Sequence, residues 1–472
     1  MIRRRFIVLI GAALAGCAGP RKPAPVESAV RAPQDWRVPT NASANRLRLD
    51  WWKAFGDAAL DALVAQAMLH SDDIALAAVN VDEARAELAY AQAQRMPNVQ
   101  LAVDGGRERG VNPGFGIPDE QAAGEALVQA SYDLDLFGRL KAVSAAARAS
   151  LLASEDARQT VRLGVAATVV TGYFTLLALD AQLAIVRQTL QVRRDELRIE
   201  QHRFDAGYST ALDLTRAQAE LESTAQRVPS LELGIARAEN GLSILLGRVP
   251  GTIARPRRFD QLTLPEIPVA LPSVVLRSRP DIAAAEARLA ATDHALDAAR
   301  AAFLPDIRLS AMGGFVGSTL VNASPVSVWS IGSSILAPLF DAGRLRSQQD
   351  LATARRDEAA FAYRKTVMQA FREVEDSLAA IAKYREQYES LSRTRNFLQR
   401  TFTLASSRYR EGYATYLDQL DAQRNLLSAE LSLVLSRLDR FDAAVSLIQA
   451  LGGGWAPDSQ QHGPEKDKSA TG

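Results

Sequence analysis

The chain has 472 residues, of which 47% are hydrophobic and 23% are charged, and 55 basic residues against 54 acidic ones leave a net charge of +1. This composition excludes a disordered chain, and the balanced charge provides no basic field for nucleic acid, so no nucleic-acid partner is expected. One cysteine excludes an internal disulfide framework. The four histidines are too far apart to suggest a metal site, and they are His70, His202, His294 and His462.

The cysteine lies at the end of an N-terminal export signal. Arg3, Arg4 and Arg5 precede an apolar run over 6–15, which is too short for a membrane span of about 20 residues. The run ends in Leu-Ala-Gly-Cys17, which resembles the lipobox of bacterial lipoproteins, and Ala18 then favours outer-membrane sorting. We expect a signal peptide over 1–16 and a lipidated, Pro-rich tether over 17–45, with this covalent lipid as the only cofactor. The alternative is an ordinary signal peptide with a chance cysteine.

The rest of the chain carries two copies of one plan, 46–255 and 256–455, followed by a polar tail over 456–472 that we expect to be disordered. Matching motifs recur at two constant spacings. The pairs Asp73/Asp281, Pro97/Pro305 and Gly105/Gly313 are 208 residues apart, and Gly138/Gly343, Gly207/Gly412 and Gly247/Gly452 are 205 apart. The sequence therefore predicts a tandem duplication in which one connecting loop is three residues longer in the first copy.

Each copy reads as a helix, a pair of strands, a very long helix and a shorter helix. Alternating residues such as Val99, Leu101 and Val103 give the strands one apolar face and one small or polar face, as in outer-membrane barrel strands. The first copy is predicted to have strands over 98–108 and 125–137, a long helix over 138–206 and a helix over 210–247. The second is predicted to have a helix over 280–303, strands over 306–318 and 326–340, a long helix over 343–411 and a helix over 415–451.

The long helices need partners along their whole length, because each would extend about 100 Å at 1.5 Å per residue. A heptad seam in the last helix predicts coiled-coil packing, and its positions are Leu417, Leu420, Arg424, Leu427, Leu431, Val434, Leu438, Phe441, Val445 and Ile448. Pro229 should kink the shorter helix of the first copy. The uncharged stretch 163–179 is interpreted as a buried coiled-coil segment, with a membrane helix as the alternative.

Several further motifs carry a resemblance to a known family. The first copy opens with Trp51-Trp52-Lys53-Ala54-Phe55-Gly56-Asp57, the second with Leu276-Arg277-Ser278-Arg279-Pro280-Asp281-Ile282, and the chain closes with Leu451-Gly452-Gly453-Gly454-Trp455. Together they resemble the TolC-type outer-membrane efflux proteins, specifically the lipoprotein branch of OprM- and NodT-like outer membrane factors. The match covers about residues 36 to 455.

The resemblance implies a mixed α/β membrane protein that is a homotrimer in the outer membrane, anchored by lipid and extending into the periplasm. Four strands from each protomer would form a shared twelve-stranded β-barrel, which long helices would continue as a periplasmic coiled-coil α-barrel. It also implies a passive exit duct for small molecules, joined through a periplasmic adaptor to an inner-membrane pump, which we expect to be proton-driven. The exit duct of a type I protein secretion system is the alternative.

The resemblance also assigns functional residues. The turns at the periplasmic tips would contact the adaptor through Gly207, Tyr208, Thr210, Gly412, Tyr413 and Thr415. The periplasmic gate would be formed by Leu417, Asp418, Asp421 and Arg424, with Arg424 offsetting the repulsion among the carboxylates. The alternatives are plain helix turns without a partner and a solvated helix face with an Asp421–Arg424 pair.

Two other classes of protein explain less of the sequence. A periplasmic coiled-coil lipoprotein would explain the heptads and Cys17 but not four alternating strands. An enzyme is not expected, because the sequence presents no recognisable nucleophile–base pair, metal cluster or phosphate-binding loop.

Overall fold

The computed structural model describes residues 30–38, 47–111, 118–319 and 324–455. Its helices are α1 (Ala58–His70), α2 (Asp72–Ala93), α3 (Arg139–Asp205), α4 (Ala211–Ala225), α5 (Arg227–Leu245), α6 (Pro272–Ser278), α7 (Pro280–Ala301), α8 (Arg344–Arg410) and α9 (Tyr416–Ala450). Its strands are β1 (Asn98–Val111), β2 (Pro118–Asp133), β3 (Asp306–Ser318) and β4 (Val326–Leu336). Short 3₁₀ helices occupy Trp51–Phe55 and Phe259–Gln261.

Two unbroken helices of 67 residues, α3 and α8, set the length of the molecule. Both were predicted to within one residue at each end, because neither contains a proline. Four helices pack side by side in the order α2, α3, α7 and α8. Among these four helices α2 and α8 are the outermost, and α9 packs against the part of α8 nearer its C-terminal end.

The four strands form one antiparallel sheet in the order β1-β2-β3-β4, so β1 and β4 are its edges. The register places Leu101 opposite Val128 and Val128 opposite Gly313, which gives these residues a common face. That face is apolar and exposed in the single chain, with Leu101 69% and Ile331 79% accessible. The opposite face carries Gln100 and Gln129, whose amides are hydrogen bonded at 3.2 Å. The predicted alternation is confirmed.

Some boundaries differ from the prediction. The second strand runs over 118–133 rather than 125–137, because the antiparallel ladder with β1 continues up to the pair Val111–Pro118. The fourth strand ends at Leu336 rather than at 340, since Pro338 has no N–H to donate to the ladder. The predicted helix 210–247 is two helices that meet at Gln226, close to the expected kink at Pro229.

The main hydrophobic core surrounds the middle of α3. Tyr173 and Phe174 are fully buried there, and the rings of Phe55 and Phe441 lie 5.0 Å from that of Phe174. The stretch 58–93 and helix α3 are long and apolar enough to cross a membrane by length and composition. In the described structure, however, the apolar part of α3 is enclosed by protein, as the interpretation of 163–179 as a buried segment required.

Two sequence motifs hold the ends of helices together near this core. Asp57 caps α1 by accepting from the Ala59 N–H at 2.8 Å, and it also accepts from the Tyr173 hydroxyl at 2.9 Å. Arg279, which is 7% exposed, contacts Asp281 at 2.6 Å, Glu373 of α8 at 2.8 Å and the Ala450 carbonyl at 3.0 Å. These contacts are structural, because they tie the start of each copy to its long helix. 

The two copies also end in equivalent backbone contacts. Gly247 has φ 64°, and a Cβ there would overlap the carbonyl oxygen of His70. Gly452 has φ 91°, and a Cβ there would overlap the carbonyl oxygen of Ser278. Because His70 and Ser278 are themselves 208 residues apart, the repeat in the sequence is a repeat of tertiary contacts.

The described part of the Pro-rich tether is attached to the second copy. The Trp36 side chain is 7% exposed, donates to the Ala270 carbonyl at 2.8 Å and packs edge-on against Phe371. The Arg37 N–H donates to Glu375 at 3.0 Å. Cys17 and the tail over 456–472 lie outside the described residues.

Candidate functional site

The two tip turns, which join α3 to α4 and α8 to α9, have the same backbone conformation. Gly207 and Gly412 have φ of 79° and 83°, the left-handed region that glycine adopts without steric cost. After Gly207, the Tyr208 N–H donates to the Arg203 carbonyl at 2.7 Å, and the Tyr413 N–H makes the equivalent bond at 2.8 Å. These are Schellman turns, which satisfy carbonyls left free at the end of a helix.

Each turn is followed by a capped helix. The Thr210 hydroxyl oxygen accepts from the Asp213 N–H at 3.1 Å, and the Thr415 hydroxyl oxygen accepts from the Asp418 N–H at 3.2 Å. Asp418 completes a capping box by accepting from the Thr415 N–H at 3.0 Å, and its hydrogen bonds with Thr415 lower the pKa of this exposed carboxyl. The structure therefore gives Asp418 a local capping role that the sequence interpretation had not assigned to it.

Four tyrosines divide the tip into an outer and an inner surface. Tyr208 and Tyr413 point outward, with 81% and 74% of their surface exposed. Tyr416 is only 5% exposed, and its ring centroid lies 5.7 Å from that of Tyr409. The outer pair is available to a partner, whereas the inner pair joins α8 to α9.

Three glutamates of the first copy bind side chains of the second copy. Glu200, which is 1% exposed, accepts from the Ser209 hydroxyl at 2.9 Å and from the Tyr409 hydroxyl. Burial, together with this bond to Glu200, raises the pKa of Tyr409. Arg203 lies over the Tyr409 ring at 4.8 Å from its centroid. This contact links the first turn to the end of α8.

The second glutamate, Glu196, connects α3 to α9. It accepts from Gln419 Nε2 at 2.7 Å and from Gln423 Nε2 at 3.3 Å. Both glutamines are buried, with exposures of 7% and 4%. Burial raises the pKa of Glu196 above its ordinary value of 4.5, although the two amides oppose that effect.

The third glutamate, Glu220 of α4, forms ion pairs with two arginines. Arg424 Nε lies 2.6 Å from its Oε1, and Arg193 Nη1 lies 2.9 Å from its Oε2. The Arg193 side chain is 3% exposed, and burial lowers its pKa. The arrangement places one carboxylate between two guanidinium groups at the contact of three helices.

The predicted gate residues share one exposed face of α9. Leu417 is 39% exposed, and the side chains of Asp421 and Arg424 are 57% and 49% exposed. Arg424 lies 3.6 Å from Asp421, so the expected pair exists, but its closer partner is Glu220. The spacing i, i+4, i+7 places Leu417, Asp421 and Arg424 on one face of α9, whereas the Asp418 carboxylate is engaged in the cap.

Sequence reasoning missed Glu196, Glu200 and Glu220. A signal was present, because the apolar seam of α3 through Leu183, Val186 and Leu190 continues at the same spacing into Arg193, Leu197 and Glu200. Charged residues in a buried seam require partners from another helix. The sequence alone does not identify those partners, since they lie about 200 residues away.

Comparison with known proteins identifies the family. The family model described as outer membrane efflux protein matches residues 63–248 and 271–453, which are the two copies. The chain belongs to the outer membrane efflux protein family. It is therefore an outer-membrane efflux channel, and the fold class expected from the sequence is confirmed at the level of the chain: four membrane-type strands continued by long helices in a tandem repeat.

Individual members of the family match over nearly the whole chain. The pyoverdine export outer membrane protein OpmQ of Pseudomonas aeruginosa is 35% identical over 470 residues, covering 98% of this chain and 99% of that protein. The toluene efflux pump outer membrane protein TtgC of Pseudomonas putida is 33% identical over 419 residues, covering 87% and 86%. The structure of the outer-membrane channel OprN superposes with a TM-score of 0.85 at 29% identity and covers 93% of this chain and 100% of OprN.

Proposed function

We propose that three copies of this chain close into one duct, which is the outer-membrane component of a tripartite efflux system for small molecules. The observation that carries the proposal is the pair of open edges. β1 and β4 leave unpaired backbone groups at the two sides of an apolar sheet, and an open edge is not viable in lipid. A ring of three chains supplies twelve strands and removes every edge.

The internal repeat specifies how neighbouring copies meet. Inside one chain, β2 of the first copy pairs with β3 of the second, and Ala130 lies opposite Ala311. Adding 205 to the first number gives Ile335 of β4, and subtracting 208 from the second gives Val103 of β1. The repeat therefore predicts that Ile335 of one chain lies opposite Val103 of the neighbouring chain. Both residues belong to the apolar face of the sheet, as a direct pair must, because a slip of one residue would place them on opposite faces.

Charge complementarity supports the same closure along the helices. At one edge, α2 carries five acidic residues and a single arginine, and the acids are Asp72, Asp73, Asp82, Glu83 and Glu87. At the other edge, α8 exposes Phe361 and Met368 among Arg364, Lys365 and Arg372. An acidic edge facing a basic and partly apolar edge favours head-to-tail contacts around a ring.

In this proposal the periplasmic tips bind the other components of the efflux system. Tyr208, Thr210, Tyr413 and Thr415 contact a periplasmic adaptor, which joins the duct to an inner-membrane pump driven by protons. Export of small organic molecules is supported by the names of OpmQ and TtgC, which record export of pyoverdine and toluene. The duct is passive, and the gate at Leu417 and Asp421 opens when the adaptor docks. A lipid on Cys17 provides an additional anchor in the outer membrane.

A cysteine cross-link tests the ring. In a Cys17→Ser background, the pair Val103→Cys and Ile335→Cys should form disulfides between copies and yield a covalent trimer on a denaturing gel, because directly opposed residues have Cβ atoms about 5 Å apart. The control pairs Ile335→Cys with Leu101→Cys, which is displaced by two residues and should cross-link weakly. Equal yields from the two pairs would reject the register, and a product that stops at dimers would reject the closed trimer.

The Cys17→Ser background also tests the anchor. We expect the mass of the N-terminal lipid to disappear from the mass spectrum while purified oligomers still conduct in a planar bilayer, since the strands hold the protein in the membrane. If conduction is lost, the lipid is required for assembly. Co-purification of the chain with an adaptor and a pump, and loss of small-molecule export after its deletion, test the tripartite assignment.

A further inference from the structure

The Glu196 site has a feature that a simple structural hydrogen bond does not require. Its carboxylate receives both amide groups of Gln419 and Gln423, so these two side chains present their N–H groups to one acceptor. Within the described structure, their amide oxygens, Gln419 Oε1 and Gln423 Oε1, are buried and accept no hydrogen bond. Two buried acceptors without a donor beside a carboxyl group are costly, since an unsatisfied buried polar atom costs about 1–3 kcal/mol.

A proton on Glu196 would supply a donor to one of these two oxygens. A protonated carboxyl group donates one hydrogen bond as well as accepting others. With one amide turned over, the Glu196 hydroxyl can donate to a glutamine oxygen while its carbonyl oxygen still accepts from the other amide. Protonation therefore removes a charge from the contact between α3 and α9 and gives one buried glutamine oxygen the donor that it lacks.

We propose that Glu196 is a proton-binding site that couples the contact between α3 and α9 at the tip to pH, so that protonation holds α9 in the packed position and deprotonation releases it. The inference goes beyond the proposed efflux function and rests on it only for the statement that α9 lines the gate. The proton is exchanged with solvent, and no covalent step is involved.

The charges around Glu196 come from every helix packed near it. Arg193 and Glu200 lie on α3 itself, and Glu220 of α4 lies beyond Arg193. From α9, Tyr416 is buried beside the site, and Arg424 is bound to Glu220. Tyr409 of α8 is bound to Glu200. Arg193 favours the charged form of Glu196 but is also paired with Glu220, and burial has the larger effect on the pKa of Glu196.

The direction of the effect follows from linkage. Burial raises the pKa of Glu196 in the packed tip, and the value returns towards 4.5 when α9 withdraws and water reaches the carboxyl. A group with a raised pKa in one state binds its proton more tightly in that state. The stabilisation of the packed tip is therefore fully present below the ordinary pKa and is lost as pH rises through the raised value.

Hydrogen exchange measured by mass spectrometry on the full-length purified protein tests this inference without requiring conduction. After correction for intrinsic exchange rates, peptides covering 416–424 should lose protection as pH rises from about 4 to 8. Glu196→Gln, which imitates the neutral acid, should keep high protection throughout. The matched control is Asp195→Asn, because Asp195 is the neighbouring carboxyl, is 49% exposed and pairs with Arg198 on the surface. It should titrate like the parent.

A second variant provides an independent test in case Glu196→Gln misfolds. Gln419→Leu removes the closer amide donor and should shift the midpoint of the transition to higher pH, because the carboxylate loses a stabilising bond. Protection that does not change with pH in the parent, an unaltered midpoint in Glu196→Gln, or a downward shift in Gln419→Leu would each overturn the proposal. A failed trimer cross-link would overturn the proposed duct but leave this exchange experiment interpretable.

Discussion

Arg424 of the second copy is bound more closely to Glu220 of the first copy than to Asp421 of its own helix, with an Nε–Oε1 distance of 2.6 Å against an Nη1–Oδ1 distance of 3.6 Å. The cation expected to neutralise an acidic ring therefore also fastens α9 to α4. Because Glu220 holds Arg193 as well, a single carboxylate determines how three helices meet at the tip.

The first prediction concerns this shared carboxylate. Glu220→Gln should lower the free energy of unfolding by about 1–3 kcal/mol, because it leaves the buried Arg193 without a counter-ion. Arg424→Gln should cost less, roughly 0–1 kcal/mol, since Arg424 is half exposed and Glu220 retains Arg193. Denaturant unfolding followed by circular dichroism measures both changes. The control is Glu232→Gln, which breaks the exposed pair with Arg187 and should have little effect. Equal losses in the three variants would contradict the shared role of Glu220.

The second prediction concerns the contact that ends the second copy. Gly452→Ala should destabilise the protein by roughly 2 kcal/mol or more, because the new Cβ would meet the Ser278 carbonyl and alanine is strained at φ 91°. Gly241→Ala is the control, since Gly241 lies in the exposed part of α5 with no heavy atom within 4 Å of a Cβ. It should stabilise the protein by about 0.5–1 kcal/mol. Thermal unfolding distinguishes the two, and similar melting temperatures would show that the Ser278 contact adapts.

Much of the fold could be predicted from the sequence because the repeat supplied two independent readings of each element. The proline-free stretches between Gly138 and Gly207 and between Gly343 and Gly412 indicated the bounds of α3 and α8, and β3 was predicted over the same residues that it occupies. The start of β2 was not, because its first residues extend beyond the alternating apolar band, and the end of β4 was not, because the ladder stops before Pro338. At the tip, the positions of the two turns at Gly207 and Gly412 were predicted, whereas the roles of Glu196 and Glu220 depend on partners in the other copy.

The third prediction concerns the tip glycines. Gly207→Val and Gly412→Val should disturb the Schellman turns, because a β-branched residue is disfavoured at φ near 80° and no neighbouring atom compensates. The strain is local, so the barrel should still assemble while binding of the adaptor weakens. Pull-down of the adaptor measures binding, and migration of the oligomer on a native gel reports assembly. Variants that assemble, bind the adaptor and export as the parent does would show that the turn geometry is incidental.

The fourth prediction concerns the exposed face of α9. In the proposed three-fold channel, Leu417 and Asp421 from each copy would face one axis, where a leucine ring would form a dewetted constriction and a carboxylate ring would attract cations. Replacing them together, Leu417→Ala with Asp421→Asn, should raise single-channel conductance and reduce block by added divalent cations. Leu435→Ala is the control, because Leu435 lies on the same helix further from the tip and is 47% exposed. It should conduct and block like the parent. If the double variant also behaves like the parent, the constriction is formed by other residues, and the exposed face of α9 serves only as a contact between copies.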